Sequence, residues 1–180
     1  NFGDLPNQML GQKIILPKIK TIGNLAFATA VVSNLSFPLL ETIGQGAFGQ
    51  SIQTIDLPNL KTCSNTFQNC LLLQSANLPN LLYVDTLGFY NCSSMSTASF
   101  PLVSYINIMA FQECKALDSL YLMSTSVVNL TGGTGVFQNT PIQNSAYLGH
   151  FGSIYVPSSL VNAYKTTVNW SVYADRFVGV

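Results

Sequence analysis

Few side chains in this sequence could carry acid–base, nucleophilic or metal chemistry, and their spacing sets none of them against a partner. The single histidine, His150, stands between Gly149 and Gly152 with no base or nucleophile arranged for it. It therefore reads as a loop or packing residue rather than a catalyst or ligand. The seven carboxylates (Asp4, Glu41, Asp56, Asp85, Glu113, Asp118 and Asp175) are scattered, which suggests neither the acidic pair of a glycosidase nor an oxygen cage for calcium. Asp56 and its strand neighbours leave weak cation binding as a minor alternative. The one reactive series with a regular interval is Cys70, Cys92 and Cys114, separated by 22 and 22 residues. Each lies three residues after a phenylalanine (Phe67, Phe89, Phe111), and the same place after Phe27 and Phe48 is filled by Ala30 and Ser51. A small buriable group is thus required rather than a thiolate. Packing is the favoured reading, ahead of a disulfide between neighbours and, last, a metal site. Gly132-Gly133-Thr134-Gly135 lacks the lysine and the strand–helix context of a phosphate loop and reads as a bend. The Asn-x-Ser/Thr triplets at Asn34, Asn91, Asn129 and Asn169 are what chance gives in so Asn- and Ser-rich a chain. The expectation is a chain with no catalytic, cofactor or metal site.

Composition narrows the partners. The 180 residues are 48% hydrophobic with a mean hydropathy of +0.33, enough for one domain with a continuous core. Only 8% are charged, seven of each sign, so the basic footprint expected for nucleic acid or an anionic membrane is missing. The surface must be made of Ser, Thr, Asn and Gln, which suits sugars or proteins better than polyanions. No apolar run approaches the ~20 residues of a membrane span, so membrane insertion is not expected. A monomer is.

The elements that position these side chains come from a repeat. Leu16-Pro17, Phe37-Pro38, Leu57-Pro58, Leu78-Pro79 and Phe100-Pro101 recur with proline separations of 21, 20, 21 and 22. Phe27, Phe48, Phe67, Phe89 and Phe111 follow those prolines by nine or ten residues. Two apolar columns lock to the same beat: Ile19, Leu40, Leu60, Leu81 and Val103, two after the proline, and Ile22, Ile43, Cys63, Val84 and Ile106, five after it. Each unit ends in an alternating stretch such as Ile52-Gln53-Thr54-Ile55-Asp56-Leu57, the pattern of a half-buried strand, which the next proline stops. A second short extended segment and a tight 3₁₀ turn around the phenylalanine complete the unit. One such coil cannot bury its apolar face alone, so coils must stack with strands ~4.8 Å apart. The expected fold is a right-handed, β-rich solenoid with a parallel sheet on one face, short 3₁₀ or helical turns and a helical C-terminal cap.

The whole chain, 1–180, reads as one domain. Residues 1–16 form a truncated first coil, with Leu5-Pro6 a damaged predecessor; 17–122 are regular repeats; 123–157 are irregular repeats with insertions; and 158–180 are the cap. In the cap, Ser158 or Ser159 is expected to N-cap a helix through Leu160, Val161, Ala163 and Tyr164, with Trp170, Tyr173 and Phe177 covering the last coil. Counting back from each proline gives two outward rows on the long strands. The inner row is Lys13, Asn34, Thr54, Ser75, Thr97, Ser119 and Ser153; the adjacent row is Ile15, Ser36, Asp56, Asn77, Ser99, Tyr121 and Tyr155. This face is polar and nearly uncharged until Tyr121 and Tyr155, which offer rigid apolar area with a hydroxyl. It is the default binding face of a solenoid, against the plainer reading of solvated sheet positions.

The unit FPLLETIGQGAFGQSIQTIDLP resembles the treponemal-type, or BspA-like, leucine-rich repeat of surface proteins from oral and gut bacteria. The ending IYVPSSLVNAYKTTVNWSVYADRFVGV, preceded by VFQNTPI, resembles the segment that closes such arrays. The likeness spans roughly residues 13 to 180; it departs at the sixth strand, where Met123 replaces the proline, and in showing no anchoring tail or sorting motif. It implies a secreted or cell-surface, non-catalytic domain that adheres to host or bacterial surface proteins or glycans, without a cofactor. A structural spacer within a larger extracellular polypeptide is the alternative.

Overall fold

The computed structural model describes residues 13–180; the proposed Leu5-Pro6 remnant lies outside them. Where each repeat alternates before its proline, the chain forms a short strand: β1 (Lys13–Ile15), β3 (Asn34–Ser36), β5 (Thr54–Asp56), β7 (Ser75–Asn77), β9 (Thr97–Ser99), β11 (Ser119–Tyr121) and β13 (Ser153–Val156). After each turn comes a two-residue strand: β2 (Thr21–Ile22), β4 (Thr42–Ile43), β6 (Thr62–Cys63), β8 (Tyr83–Val84), β10 (Tyr105–Ile106) and β12 (Asn129–Leu130). All pairings among them are parallel and join like positions of successive coils, for example Asn34 with Thr54 and Ser119 with Ser153. The long strands form a set β1-β3-β5 and a set β7-β9-β11-β13, which meet without ladder pairing where Gln74 N–H donates to Gln53 O at 3.0 Å. The short strands form β2-β4 and β6-β8-β10-β12.

The core consists of the sequence columns turned inward. Leu35, Ala76, Ala98, Leu120 and Ile154 point in from the strand centres, and Leu40, Leu60, Leu81 and Val103 from the positions two after the proline; all are buried. Ile19, the first of that column, is 38% exposed. Down the axis runs a stack of rings. Phe27, Phe48, Phe67, Phe89, Phe111 and Phe137 succeed one another with centroids 6.0, 5.6, 4.9, 5.5 and 5.5 Å apart, the last three pairs within 6° of parallel. The cap closes the stack: Tyr173 meets Phe137 edge-on at 5.1 Å, while Trp170 Nε1 donates to Val128 O at 2.6 Å and Tyr173 Oη to Gly133 O at 2.8 Å. Large rings can end the core here because their polar tips find partners. Among the described residues no buried side-chain nitrogen or oxygen lacks one.

Two details of the cap differ from the sequence expectation. The helix is α1 (Val161–Thr166), preceded by a 3₁₀ turn, and neither Ser158 nor Ser159 caps it. Ser158 Oγ instead donates to Val180 O at 3.3 Å, because the chain returns as a further strand, β14 (Phe177–Gly179), laid parallel on β13. Phe177 covers the last coil as expected, but as part of the sheet.

Tight coils need left-handed residues. The position two before each phenylalanine has φ between 51° and 57° in five successive coils, at Leu25, Gly46, Asn65, Leu87 and Met109. Glycine and asparagine accept this conformation readily; leucine and methionine do so at a cost of ~1–2 kcal/mol. Met109→Asn is therefore expected to stabilise the fold by ~1 kcal/mol, since Met109 is 40% exposed and loses little packing, measured as a rise in thermal midpoint. Phe89→Ala removes a ring stacked on both sides and should destabilise by ~3–5 kcal/mol in denaturant titration.

Candidate functional site

Stacking brings the two outward rows of the long strands onto one surface, in the register the sequence implies: Asn34 beside Thr54, Ser75 beside Thr97, Tyr121 beside Ser99 and Tyr155. The surface falls into two parts. On β1, β3 and β5 the polar groups satisfy one another. Thr54 Oγ1 donates to Asn34 Oδ1 at 2.6 Å; Asp56 Oδ2 accepts from Ser36 Oγ at 2.7 Å and from Lys13 Nζ at 3.3 Å. The Ser36 hydroxyl, supported by Lys13 and opposed by partial burial, holds the Asp56 carboxyl below its ordinary range. Lys13 thus occupies the place a weakly bound cation would need. Ser36 shares the row but is 2% exposed, so it supports the surface without belonging to it.

From β7 to β13 the pattern reverses. The side chains of Ser75, Asn77, Thr97, Ser99, Ser119 and Ser153 make no hydrogen bond or ion pair within the described residues, although all are at least partly exposed. At the end of this stretch Tyr121 and Tyr155 stack with ring centroids 4.5 Å apart and planes 10° from parallel. Beyond Tyr155, in register with it, stands Val178 of β14. No repeat column contains this valine, since β14 does not belong to the repeat.

His150 is not unpartnered. Its Nε2 lies 2.6 Å from Asp118 Oδ1, both side chains being more than half exposed. Strand register explains the meeting: Asp118 directly precedes β11 and His150 comes three residues before Ser153, which pairs with Ser119. Aligning the delayed strand with its neighbour was the signal that could have found it. Together with Arg176, whose guanidinium sits 3.9 Å over the Phe151 ring, the contact fastens the inserted loop to the solenoid. An exposed pair of this kind contributes little to stability. Gly152 ends the loop where a Cβ would lie 2.8 Å from the Asp118 carbonyl, so the chain can pass only without a side chain.

The cysteines line the interior. All four are free and buried. Cys92 Sγ approaches Phe67 O and Cys114 Sγ approaches Phe89 O, each at 3.0 Å, and Cys70 Sγ lies 3.9 Å from Phe48 O. Burial pushes the Cys70 thiol up to about 12 and raises Cys63 and Cys92 well above the ordinary thiol range. Such thiols are poor nucleophiles. Among the described residues no three His, Cys, Asp or Glu side chains gather where they could hold a metal ion, and no helix is long and apolar enough to cross a membrane. A cleft of about 380 Å³ beside the first coils is lined by Asn24, Leu25, Gln45, Gly46, Asn65 and Gln68, none of them titratable.

Parallel coils, a continuous hydrophobic axis and a sheet surface whose one charged pair, Lys13 with Asp56, neutralises itself define a repeat scaffold that presents a surface rather than a pocket. Six copies of the BspA type leucine-rich repeat region match residues 20–143, and the chain belongs to that family. Repeats of this type are in general carried by surface or secreted proteins and serve as binding scaffolds. Comparison with the curated proteins finds no match.

The buried thiols give this region a pH signature. Cys70 ionises freely in the unfolded chain near its ordinary value of 9.0 but resists ionisation in the fold up to about 12. Its contribution is intact below pH 9 and is lost as the pH rises through that window, by up to ~1.4 kcal/mol per unit. Cys70→Ala should flatten the decline in stability above pH 9; an equally steep decline would rule this thiol out as its source.

Proposed function

We propose that this chain is a non-catalytic binding or adhesion domain of a secreted or cell-surface bacterial protein, and that it contacts its partner through the sheet surface from Ser75 to Tyr155. The observation that carries the reading is the contrast along that surface. The polar groups of β1, β3 and β5 are spent on each other, whereas those of β7 to β13 have no partner among the described residues and end against a stacked tyrosine pair. Free hydrogen-bonding groups beside rigid aromatic area are the makings of a contact surface. Family membership supports a binding scaffold at a cell surface, and the neutral face supports a partner that is neither nucleic acid nor an anionic membrane.

The alternative is a spacer that carries another part of a larger extracellular polypeptide. It requires nothing of the tyrosines. Tyr121→Ala with Tyr155→Ala should abolish capture on arrays of purified extracellular proteins and glycans while leaving the chain folded, at a cost of ~1–3 kcal/mol for the ring pair and its partly buried area. Capture that survives both changes would exclude this surface, and a complete lack of capture by the unaltered chain would favour the spacer.

A further inference from the structure

Because the rings of Tyr121 and Tyr155 stack across adjacent strands, their planes stand roughly across the solenoid axis, and each ring has one inner face covered by the other. The outer faces differ. That of Tyr155 looks toward Val178, in register on β14. That of Tyr121 looks toward Ser99, in register on β9, and beyond it toward Asn77 on β7. Serine and asparagine are too short to cover a ring, so the outer face of Tyr121 forms a wall and β7 and β9 a floor. The floor carries the hydroxyls of Ser75, Thr97 and Ser99 and the amide of Asn77, all without a partner among the described residues. No charged side chain stands in either outward row between β7 and β13, and the Lys13–Asp56 pair on the earlier strands is self-neutralised at 3.3 Å.

We propose that this corner is a subsite for one residue of a neutral saccharide, a reading that rests on the binding surface proposed above and names its ligand class. A pyranose has an apolar face of C–H groups and an edge of hydroxyls at right angles to it. The corner offers the same two chemistries at right angles: one aromatic face, and a floor of paired donor–acceptor groups. A protein partner fits less well, because protein interfaces centre on a desolvated apolar patch, and β7 to β11 present only small polar groups around one ring face. An anionic or sulfated glycan gains little here, because no cationic side chain stands in the outward rows of β7 to β13 and Arg176, just before β14, is turned onto the Phe151 ring. Tyr155 is a positioning residue in this arrangement: backed by Val178, it holds the Tyr121 ring upright.

The test uses the whole chain, with saturation-transfer NMR against the methyl glycosides of glucose, galactose, mannose and N-acetylglucosamine and against neutral and sialylated oligosaccharides on an array. Neutral saccharides should bind with signal from the C–H face of the sugar. Tyr121→Phe should retain binding, Tyr121→Ala should weaken it roughly tenfold or more, the loss of about 1.4 kcal/mol of ring contact, and Ser99→Phe should block it by filling the floor. Thr54→Ala, on the self-satisfied strands, should leave it unchanged, and circular dichroism should show every variant folded. Failure of every neutral saccharide to bind, preference for sialylated forms, or indifference to both Tyr121→Ala and Ser99→Phe would overturn the proposal. If purified deglycosylated proteins bind instead, and lose binding with Tyr121→Ala, the saccharide is wrong and the binding surface stands; if nothing binds, both fall.

Discussion

The stack of phenylalanine rings from Phe27 to Phe137 is the contact on which the rest of the molecule depends. A coil of about twenty residues has too little interior to bury an aromatic side chain by itself, so each ring is desolvated only when the next coil sets its own ring on top. Burial therefore works along the axis, and it fixes the registration of everything attached to the coil. Once Phe67 lies under Phe89, Ala76 must lie under Ala98 and Ser75 under Thr97. The outward rows are a by-product of ring stacking, and the surface they form is as regular as the core beneath it.

Regularity of this kind leaves the end of the stack to be covered by something outside the repeat. At the C-terminal end, Trp170, Tyr164 and Tyr173 cover Phe137 and the last coil, with their polar atoms bonded to Val128 and Gly133. The cap also adds β14 to the sheet, so the covering of the core and the extension of the surface are one operation. At the other end, Leu16, Ile19, Ile22, Phe27 and Phe37 border an apolar recess of about 180 Å³. The covering follows from composition: the last quarter of the sequence departs from the repeat and supplies tryptophan and a helix.

How much of this could be read from the sequence depends on whether a residue obeys the repeat. The columns of Leu40 and Phe48 and the strand that ends at each proline follow from counting, because stacked units convert equal spacing into contact, and Tyr155 falls in one row with Tyr121 once its delayed strand is aligned on its own proline, Pro157. What counting could not give were contacts between units of unequal length. His150 meets Asp118 across an insertion that breaks the beat, and Lys13 reaches Asp56 two strands away, past the strand between them. The Ser158 hydroxyl went to Val180 rather than to a helix N-terminus because β14 returned beside it, a long-range event that outweighs local capping preference. The cysteine column was legible as a demand for small groups, since Ala30 and Ser51 share it; that the thiols point at carbonyls needed coordinates.

The division of the sheet surface has a physical reason that joins fold to function. A solvent-facing polar row gains little from internal hydrogen bonds, because water is an equal partner, so pairing such as that of Thr54 with Asn34 is a matter of side-chain reach. Asn34, Asp56 and Lys13 find a neighbour across the interstrand spacing; Ser75, Ser99 and Thr97 are too short to reach one another, and Asn77, though as long as Asn34, has only Ser99 in register beside it and makes no such bond. Short residues therefore keep their hydrogen-bonding capacity for something outside the chain, and they also leave the face of Tyr121 uncovered. A longer side chain at position 99 would pair within the sheet and screen the ring at the same time. Small size at that position has one cause and two effects, and both leave the surface open to a ligand that brings an apolar face together with hydroxyls.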